Sequence, residues 1–392
     1  MNPRGLCAAV VAAALAWAAA AGATPGGVAH VTLASGLAQS RSRTCGTCHN
    51  PEFSLWIRHP HSHFLIDPDR DPRLVKARWG KRVEGWAEHV EGRFERDQVA
   101  LAYGIIQIQV YFRRDPDGYR LLPAQWNLAR RRWEPLPASL EAVLRKGLTW
   151  EDGCAGCHTT GYDPTTRTFP EANAGCSACH GDGQAHADSG GREPILRPTT
   201  LTPLTRAALC GACHSRGRSL DGKHPYPVGF RPGDRLEARF ELIRPDPERT
   251  TSHFWRGGAE RLPFMEYQGF VESRHAGVGL SCTTCHLPHG SEYPHSLRRR
   301  SEEICSGCHE ESELALVPAH QRHPEDEAGC IDCHMAVTNP DRGAYRVRTH
   351  SLRVWVAEDP EGGRVYSACT SVCHTDRDGT WARKRMEVWR VR

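Results

Sequence analysis

The sequence predicts a mostly α and irregular fold, loop-rich, and packed around prosthetic groups instead of a large apolar core. Three observations predict it. A five-residue pattern, Cys-x-x-Cys-His, recurs as CGTCH at 45, CAGCH at 154, CSACH at 176, CGACH at 210, CTTCH at 282, CSGCH at 305 and CIDCH at 330. Only 39% of the 392 residues are hydrophobic, while glycine (37) and proline (27) are abundant, a composition that by itself argues for a thin core. Strand-like alternation is confined to one stretch, near residues 100–123.

Each repeat reads as a c-type haem site, in which two thiols form thioethers with the porphyrin and the histidine is the proximal iron ligand. The attachment thiols are then Cys45 and Cys48, Cys154 and Cys157, Cys176 and Cys179, Cys210 and Cys213, Cys282 and Cys285, Cys305 and Cys308, and Cys330 and Cys333. The proximal ligands are His49, His158, His180, His214, His286, His309 and His334. An eighth motif, CTSVCH, carries Cys369, Cys373 and His374 with one residue more between the thiols. The added residue lengthens the loop but leaves the histidine directly after the second cysteine, so it reads as the same kind of site. In chain order these are sites 1 to 8, and the expected cofactor set is eight covalent haems with their irons.

Sixteen of the 17 cysteines are used this way, and Cys7 is left over. A disulfide framework or paired zinc ribbons would also use many cysteines. Neither needs a histidine after every second cysteine, and eight such matches by chance are on the order of one in ten billion. Porphyrins are large apolar discs, so the protein wraps cofactors where other chains pack leucines.

Residues 1–23 read as a secretory signal peptide: a short basic start at Arg4, an alanine-rich apolar run and a small-residue Ala21-Gly22-Ala23 cleavage pattern. The run of about 16 apolar residues is short for a membrane span, so no transmembrane segment is expected after its removal. Covalent haem is attached outside the cytoplasmic membrane, which makes a periplasmic or extracellular location the expectation. The formal charge of +4 comes without basic blocks, so nucleic acid is not an expected partner. Only five of the 50 basic residues are lysine. The arginines suit haem propionates, whose carboxylates they grip in forked geometry, or they reflect GC-rich codon usage.

The first cysteines of successive motifs stand 109, 22, 34, 72, 23, 25 and 39 residues apart, and the short intervals predict haems in close succession. In the first long gap IIQIQVYFRRDPDGYRLL alternates Ile106, Ile108, Val110 and Phe112 with polar residues before an Asp-Pro-Asp-Gly turn. That predicts a β-hairpin within a β-containing insertion at 96–150. The second long gap, rich in proline and glycine, is expected to wrap the surface. Short helices are expected at or after the motifs, with a closing helix near 379–391 that sets Trp381 and Trp389 on one face. No internal boundary is visible, so residues 24–392 read as a single octahaem domain.

The stretches RLLPAQWNLARRRWEPL, CAGCHTTGYDP, GCSACHGDGQAH, YPVGFRPGD, VESRHAGVGLSCTTCHLPHG, HQRHPEDEAGCIDCHMA, THSLRV and CTSVCHTDRDGTWARKRMEVW resemble the octahaem cytochromes related to cytochrome c-554. Some members of that family continue into tetratricopeptide repeats, which this sequence lacks. The resemblance runs from about Cys45 to Trp389 and implies a multihaem cytochrome c fold. CTSVCH stands where the family has a regular motif, but its downstream DRxxxW pattern is kept.

The resemblance also implies distal ligands. His275, His289 and His350 match axial ligands, His61 falls in a tryptophan-led pattern after Trp56, His186 follows CHGDGQAH, and His323 precedes Pro324. His63 and His320 complete the candidates. His289 lies too near its own motif and is expected to serve a neighbouring haem. His224 and His253 are weaker candidates, while His59, His89 and His295 read as surface residues and His30 lies near the N-terminus. Only Met265, Met335 and Met386 follow the signal region, so mostly bis-histidine, low-potential haems are expected. The function read from this is electron transfer between a respiratory donor and a terminal reductase or extracellular acceptor, without catalysis of its own. Two alternatives remain: a reductase of nitrite, hydroxylamine or a sulfur oxyanion at one open haem, and a self-associating subunit of a haem-stacked filament.

Overall fold

The expected hairpin lies at the centre of the largest sheet. In the computed structural model, which describes residues 41–79, 94–246, 248–310, 312, 317, 319–323, 328–339, 346, 348–356 and 366–390, strands β3 (Ile108–Asp115) and β4 (Gly118–Asn127) pair antiparallel. Asp115 stands opposite Gly118 across a two-residue loop, and Gly118 supplies the positive φ of 142° that the turn requires. Strands β1 (Leu65–Ile66), β2 (Leu101–Tyr103) and β5 (Arg132–Glu134) complete a sheet in the order β1-β2-β3-β4-β5. The sheet therefore recruits residues before the expected 96–150 insertion. The signal peptide, His30 and His89 lie outside the described residues.

Both faces of this sheet are covered. Ile108, Val110, Phe112, Tyr119 and Leu121 cluster with Trp150, whereas Tyr111, Leu122 and Trp126 cluster with Ile66, Val99 and Ala102. Alternation in the sequence implies one wet face, yet Gln109 and Tyr111 are fully buried. Burial is tolerated because their polar atoms are satisfied. The Tyr111 hydroxyl donates to Gln109 Oε1 at 2.7 Å, and Gln109 Nε2 donates to the carbonyls of Leu74 and Gly104 at 2.9 Å each.

The second long gap does not merely wrap the surface. Leu236, Phe240, Leu242, Tyr267 and Phe270 from it bury against Ala207 and Ala208 of the helix Pro203–Gly211, which runs into the fourth motif. Its strands Gly217–Ser219 and Phe240–Leu242 pair antiparallel. Proline and glycine set the turns here, while the apolar residues between them make a second core.

The remaining helices are short and gather at the motifs, as in Arg41–Gly46, Ala155–His158, Ser177–His180, Cys282–Cys285, Ser301–Ser306 and Cys330–His334. The closing helix spans Gly379–Arg390. Among the described residues no helix is long and apolar enough to cross a membrane.

Candidate haem sites

Six of the seven regular motifs close on themselves, and in the seventh Cys330–His334 is itself a short helix. The backbone N–H of the histidine donates to the carbonyl of the first cysteine, four residues back, at 2.9 Å for His49, 3.1 Å for His158, 3.0 Å for His180, 2.8 Å for His214, 2.9 Å for His286 and 2.9 Å for His309. This single helical turn puts both thiols and the imidazole on one side of the chain. CTSVCH makes the same bond with a wider turn: His374 N–H donates to the carbonyl of Cys369, five residues back, at 2.9 Å. The extra residue is taken up as one turn of π-helical reach, and the histidine ends in the same relation to the first cysteine.

The proximal rings then meet other imidazoles at a repeated spacing. Ring centroids lie 6.2 Å apart for His49 and His186, 6.2 Å for His214 and His61, and 6.2 Å for His180 and His289. The distances are 6.4 Å for His286 and His350, 6.0 Å for His309 and His275, 6.3 Å for His334 and His320, and 6.2 Å for His374 and His323. Metal–imidazole bonds of about 2 Å on opposite sides of one iron set two ring centroids roughly 6 Å apart. Touching aromatic rings are not held to one value, as the 4.5 Å between His59 and His61 illustrates. The residues present therefore fit a haem iron between each pair.

Hydrogen bonds orient these rings. Nδ1 donates to the carbonyl of Leu196 in His180, Glu193 in His186, His295 in His286, Ala319 in His323 and Arg348 in His350, at 3.0, 2.7, 2.9, 2.9 and 3.1 Å. Tying down Nδ1 fixes the tautomer and leaves Nε2 free to ligate. Burial lowers the pKa of His286, His334 and His350, and it takes His61 to about 3 with help from the nearby His214. A neutral ring is the ligating form.

Site 2 differs. His158 has no histidine ring at this spacing among the described residues. Phe64 and Tyr103 pack edge-on to it instead, at 5.2 and 4.2 Å, and its buried Nδ1 has no partner. Burial pushes its imidazole down to about 4. His63, the eighth distal candidate, is not brought to any proximal ring and shares a 2.7 Å hydrogen bond with Ser62. His59 contacts Ser296 at 2.7 Å, His253 contacts Ser252 at 2.9 Å, and His224 contacts Tyr226 at 3.1 Å. The unpartnered surroundings of His158 had no signal in the sequence, because Tyr103 reaches it only through the pairing of the sheet.

The sixteen motif cysteines are unbridged, and among the described residues no group of three or more His, Cys, Asp or Glu gathers to hold a metal ion. Thiols of different motifs instead approach one another. Cys45 and Cys176, Cys157 and Cys213, Cys210 and Cys282, and Cys305 and Cys330 lie close enough to shift one another's ionisation, and the Cys213 thiol donates to the carbonyl of Cys157 at 3.7 Å. Charge on Cys213 is felt at Cys179, on Cys308 at Cys285, and on Cys369 and Cys373 at Cys333. Site 1 thus adjoins site 3, site 3 adjoins site 4, and sites 4 to 8 follow in order, with site 2 beside site 4.

Comparison with known proteins agrees with this chemistry. The family described as cytochrome c554 and c-prime matches residues 132–181, and the doubled CXXCH motif matches residues 275–314. The multiheme cytochrome MtrA of Shewanella baltica (strain OS185) is 24% identical over 170 residues, 42% of this chain and 36% of that protein, so the match spans little more than a third of that relative. Among solved structures, the outer cell wall cytochrome OcwA superposes with a TM-score of 0.68 at 20% identity, covering 88% of this chain and 86% of that one. The undecaheme cytochrome from the S-layer of Carboxydothermus ferrireducens gives a TM-score of 0.50 at 19% identity, covering 92% of this chain and 60% of that one. Motifs, family matches and fold define a multihaem c-type cytochrome. Such proteins bind haem covalently.

Proposed function

We propose that this chain is an exported octahaem cytochrome that carries electrons between a respiratory donor and a terminal reductase or extracellular acceptor. The observation that carries this reading is the set of seven imidazole pairs held at 6.0 to 6.4 Å. His49 with His186, His180 with His289, His214 with His61, His286 with His350, His309 with His275, His334 with His320 and His374 with His323 would each hold one iron from both sides. Haem iron supplies reversible one-electron chemistry when bound. With both axial positions filled by protein, substrate has nowhere to bind at these sites, and electron transfer is the chemistry that remains. The thiol contacts support a route in the order 1, 3, 4, 5, 6, 7, 8, with site 2 as a branch from site 4.

Methionine is not called for at these positions, where both imidazoles are already in place, and Met335 adjoins its own proximal His334. Low potentials are therefore expected. Export rests on the leader-like residues 1–23, and an extracytoplasmic location is supported by likeness to proteins named for the outer cell wall and the S-layer. Intact-mass analysis of the secreted protein tests the count. Polypeptide lacking about 23 residues plus eight haems is expected, and seven haems would remove Cys369 and Cys373 from the attachment set.

One observation favours a second reading, that of a reductase acting at site 2. His158 faces no described imidazole and is walled by Phe64 and Tyr103. Carbon monoxide titration of the dithionite-reduced protein separates the two readings. Binding at one haem, with reoxidation by nitrite, hydroxylamine, sulfite or tetrathionate, would replace the carrier by the reductase. Binding without turnover would leave a carrier with one accessible iron, and no binding would leave a carrier with none.

A further inference from the structure

Most of the ring anchors described above are backbone carbonyls, which are neutral dipoles. His214 is different: its Nδ1 lies 3.3 Å from Oε2 of Glu266. Among the other paired rings, His180, His186, His286, His323 and His350 are each tied through Nδ1 to a backbone carbonyl. The contact joins two half-buried side chains that the fold brings together. The N–H of Tyr267 donates to the carbonyl of His214 at 3.0 Å. One residue further on, Gln268 closes a two-way clasp, accepting from the N–H of Arg216 at 3.0 Å and donating to its carbonyl at 2.8 Å. Tyr267 and Gln268 are buried, so the strip 266–268 is stitched to 214–216 and Glu266 is delivered to the imidazole.

We infer that Glu266 is a positioning residue that makes His214 a stronger electron donor than an imidazole anchored to a backbone carbonyl and lowers the reduction potential of site 4. The inference rests on the reading of site 4 as a haem held by His214 and His61. A carboxylate that accepts the Nδ1 proton gives the ring imidazolate character and strengthens Nε2 as a donor, which favours ferric over ferrous iron. Glu266 also feels His350, the ring paired with His286, so a smaller effect reaches site 5. Site 4 is where the thiol contacts to sites 2, 3 and 5 converge. A low potential there makes the junction the last part of this region to hold an electron.

The test is a spectroelectrochemical titration of the haem-loaded protein and of Glu266→Gln. The amide keeps an acceptor for Nδ1 but removes the charge. Outer-sphere changes of this kind alter ligand strength by about tenfold or more, which for one electron is about 59 mV. An upward shift of about that size in one of the eight steps is expected, with a smaller rise in a second and with low-spin spectra retained. Glu266→Ala should shift the same step further. If Glu266→Gln fails to load haem, Glu266→Asp, which keeps the charge at shorter reach, should raise the step by less. Eight haems in the wild type with an unmoved titration in the variants would overturn the inference alone. A wild type with fewer than eight haems, or one whose low-spin signal is untouched by His61→Ala, would instead overturn the reading of site 4 on which it rests.

Discussion

Residues 96–150, a β-containing insertion ahead of the second motif, and residues 301–323, which contain the sixth, are held in different ways. In the first, Leu101, Ala102, Val110, Tyr111 and Ala124 are at most 1% exposed, and the strands that bear them are sealed by apolar clusters on both faces. In the second, no described residue is buried, although this stretch contains the sixth motif, His309, and the imidazoles of His320 and His323. The sheet region makes its own core. The other brings its imidazoles to 6.0–6.3 Å from partner rings, where an apolar macrocycle would supply the burial. The imidazoles follow the same division: His158, packed by the sheet residue Tyr103, faces no described histidine, while His309, His320 and His323 each do.

If this contrast is right, the largest effect comes from withholding the cofactor. Chain produced without haem attachment should keep slow hydrogen exchange in the strands at 101–103, 108–115 and 118–127 and lose it at 301–310 and 330–335, measured peptide by peptide. Equal protection in both regions would break the comparison. A smaller effect comes from the sheet itself. Trp126 is 4% exposed and meets Trp133 at 5.5 Å, so Trp126→Ala should cost about 3–5 kcal/mol of local stability. Thermal melting should fall while the low-spin haem absorption keeps its full amplitude. Loss of low-spin haem in step with the sheet would show that the two regions fold as one unit.

Gly211, inside the fourth motif, sharpens the contrast from the other side. A Cβ there would stand 2.6 Å from the ring of Tyr267, the residue whose N–H ties the strip 266–268 to His214. Overpacking of this kind costs about 1–3 kcal/mol. Gly211→Ala should therefore lower the melting temperature modestly and move the redox step assigned to site 4, with the other steps unchanged.

Much of this was legible in the residues. The haem sites could be read because attachment chemistry demands a fixed local spacing, and the hairpin because Ile108, Val110 and Phe112 alternate before an Asp-Pro-Asp-Gly turn. The outer strands were not, since Leu65–Ile66 and Arg132–Glu134 are too short to carry a period. The second buried face was hidden because Gln109 and Tyr111 read as polar, and only their mutual hydrogen bond makes them core residues. Six distal candidates come from resemblance, with His63 and His320 added to them, but the ring each one faces is a property of the folded chain. Nothing local links His61 to His214, or Glu266 to a histidine 52 residues away.

The smallest expected effect is also the sharpest, because it compares two neighbours. His61 and His63 stand two residues apart on either side of Ser62, within and just after the short turn Pro60–Ser62. His61 lies 6.2 Å from His214, whereas His63 spends its Nδ1 on Ser62 at 2.7 Å. Electron paramagnetic resonance should therefore separate them. In His61→Ala one low-spin signal should give way to a high-spin one, since removal of a sixth ligand leaves the iron five-coordinate. In His63→Ala the spectrum should be unchanged, and the loss of a part-buried hydrogen bond should cost only about 1 kcal/mol. The reverse result would assign the site to His63 and would require the turn at 60–62 to rotate when haem binds. A spectrum changed by both substitutions would mean that the turn acts as one piece, with His63 and Ser62 holding His61 in its orientation.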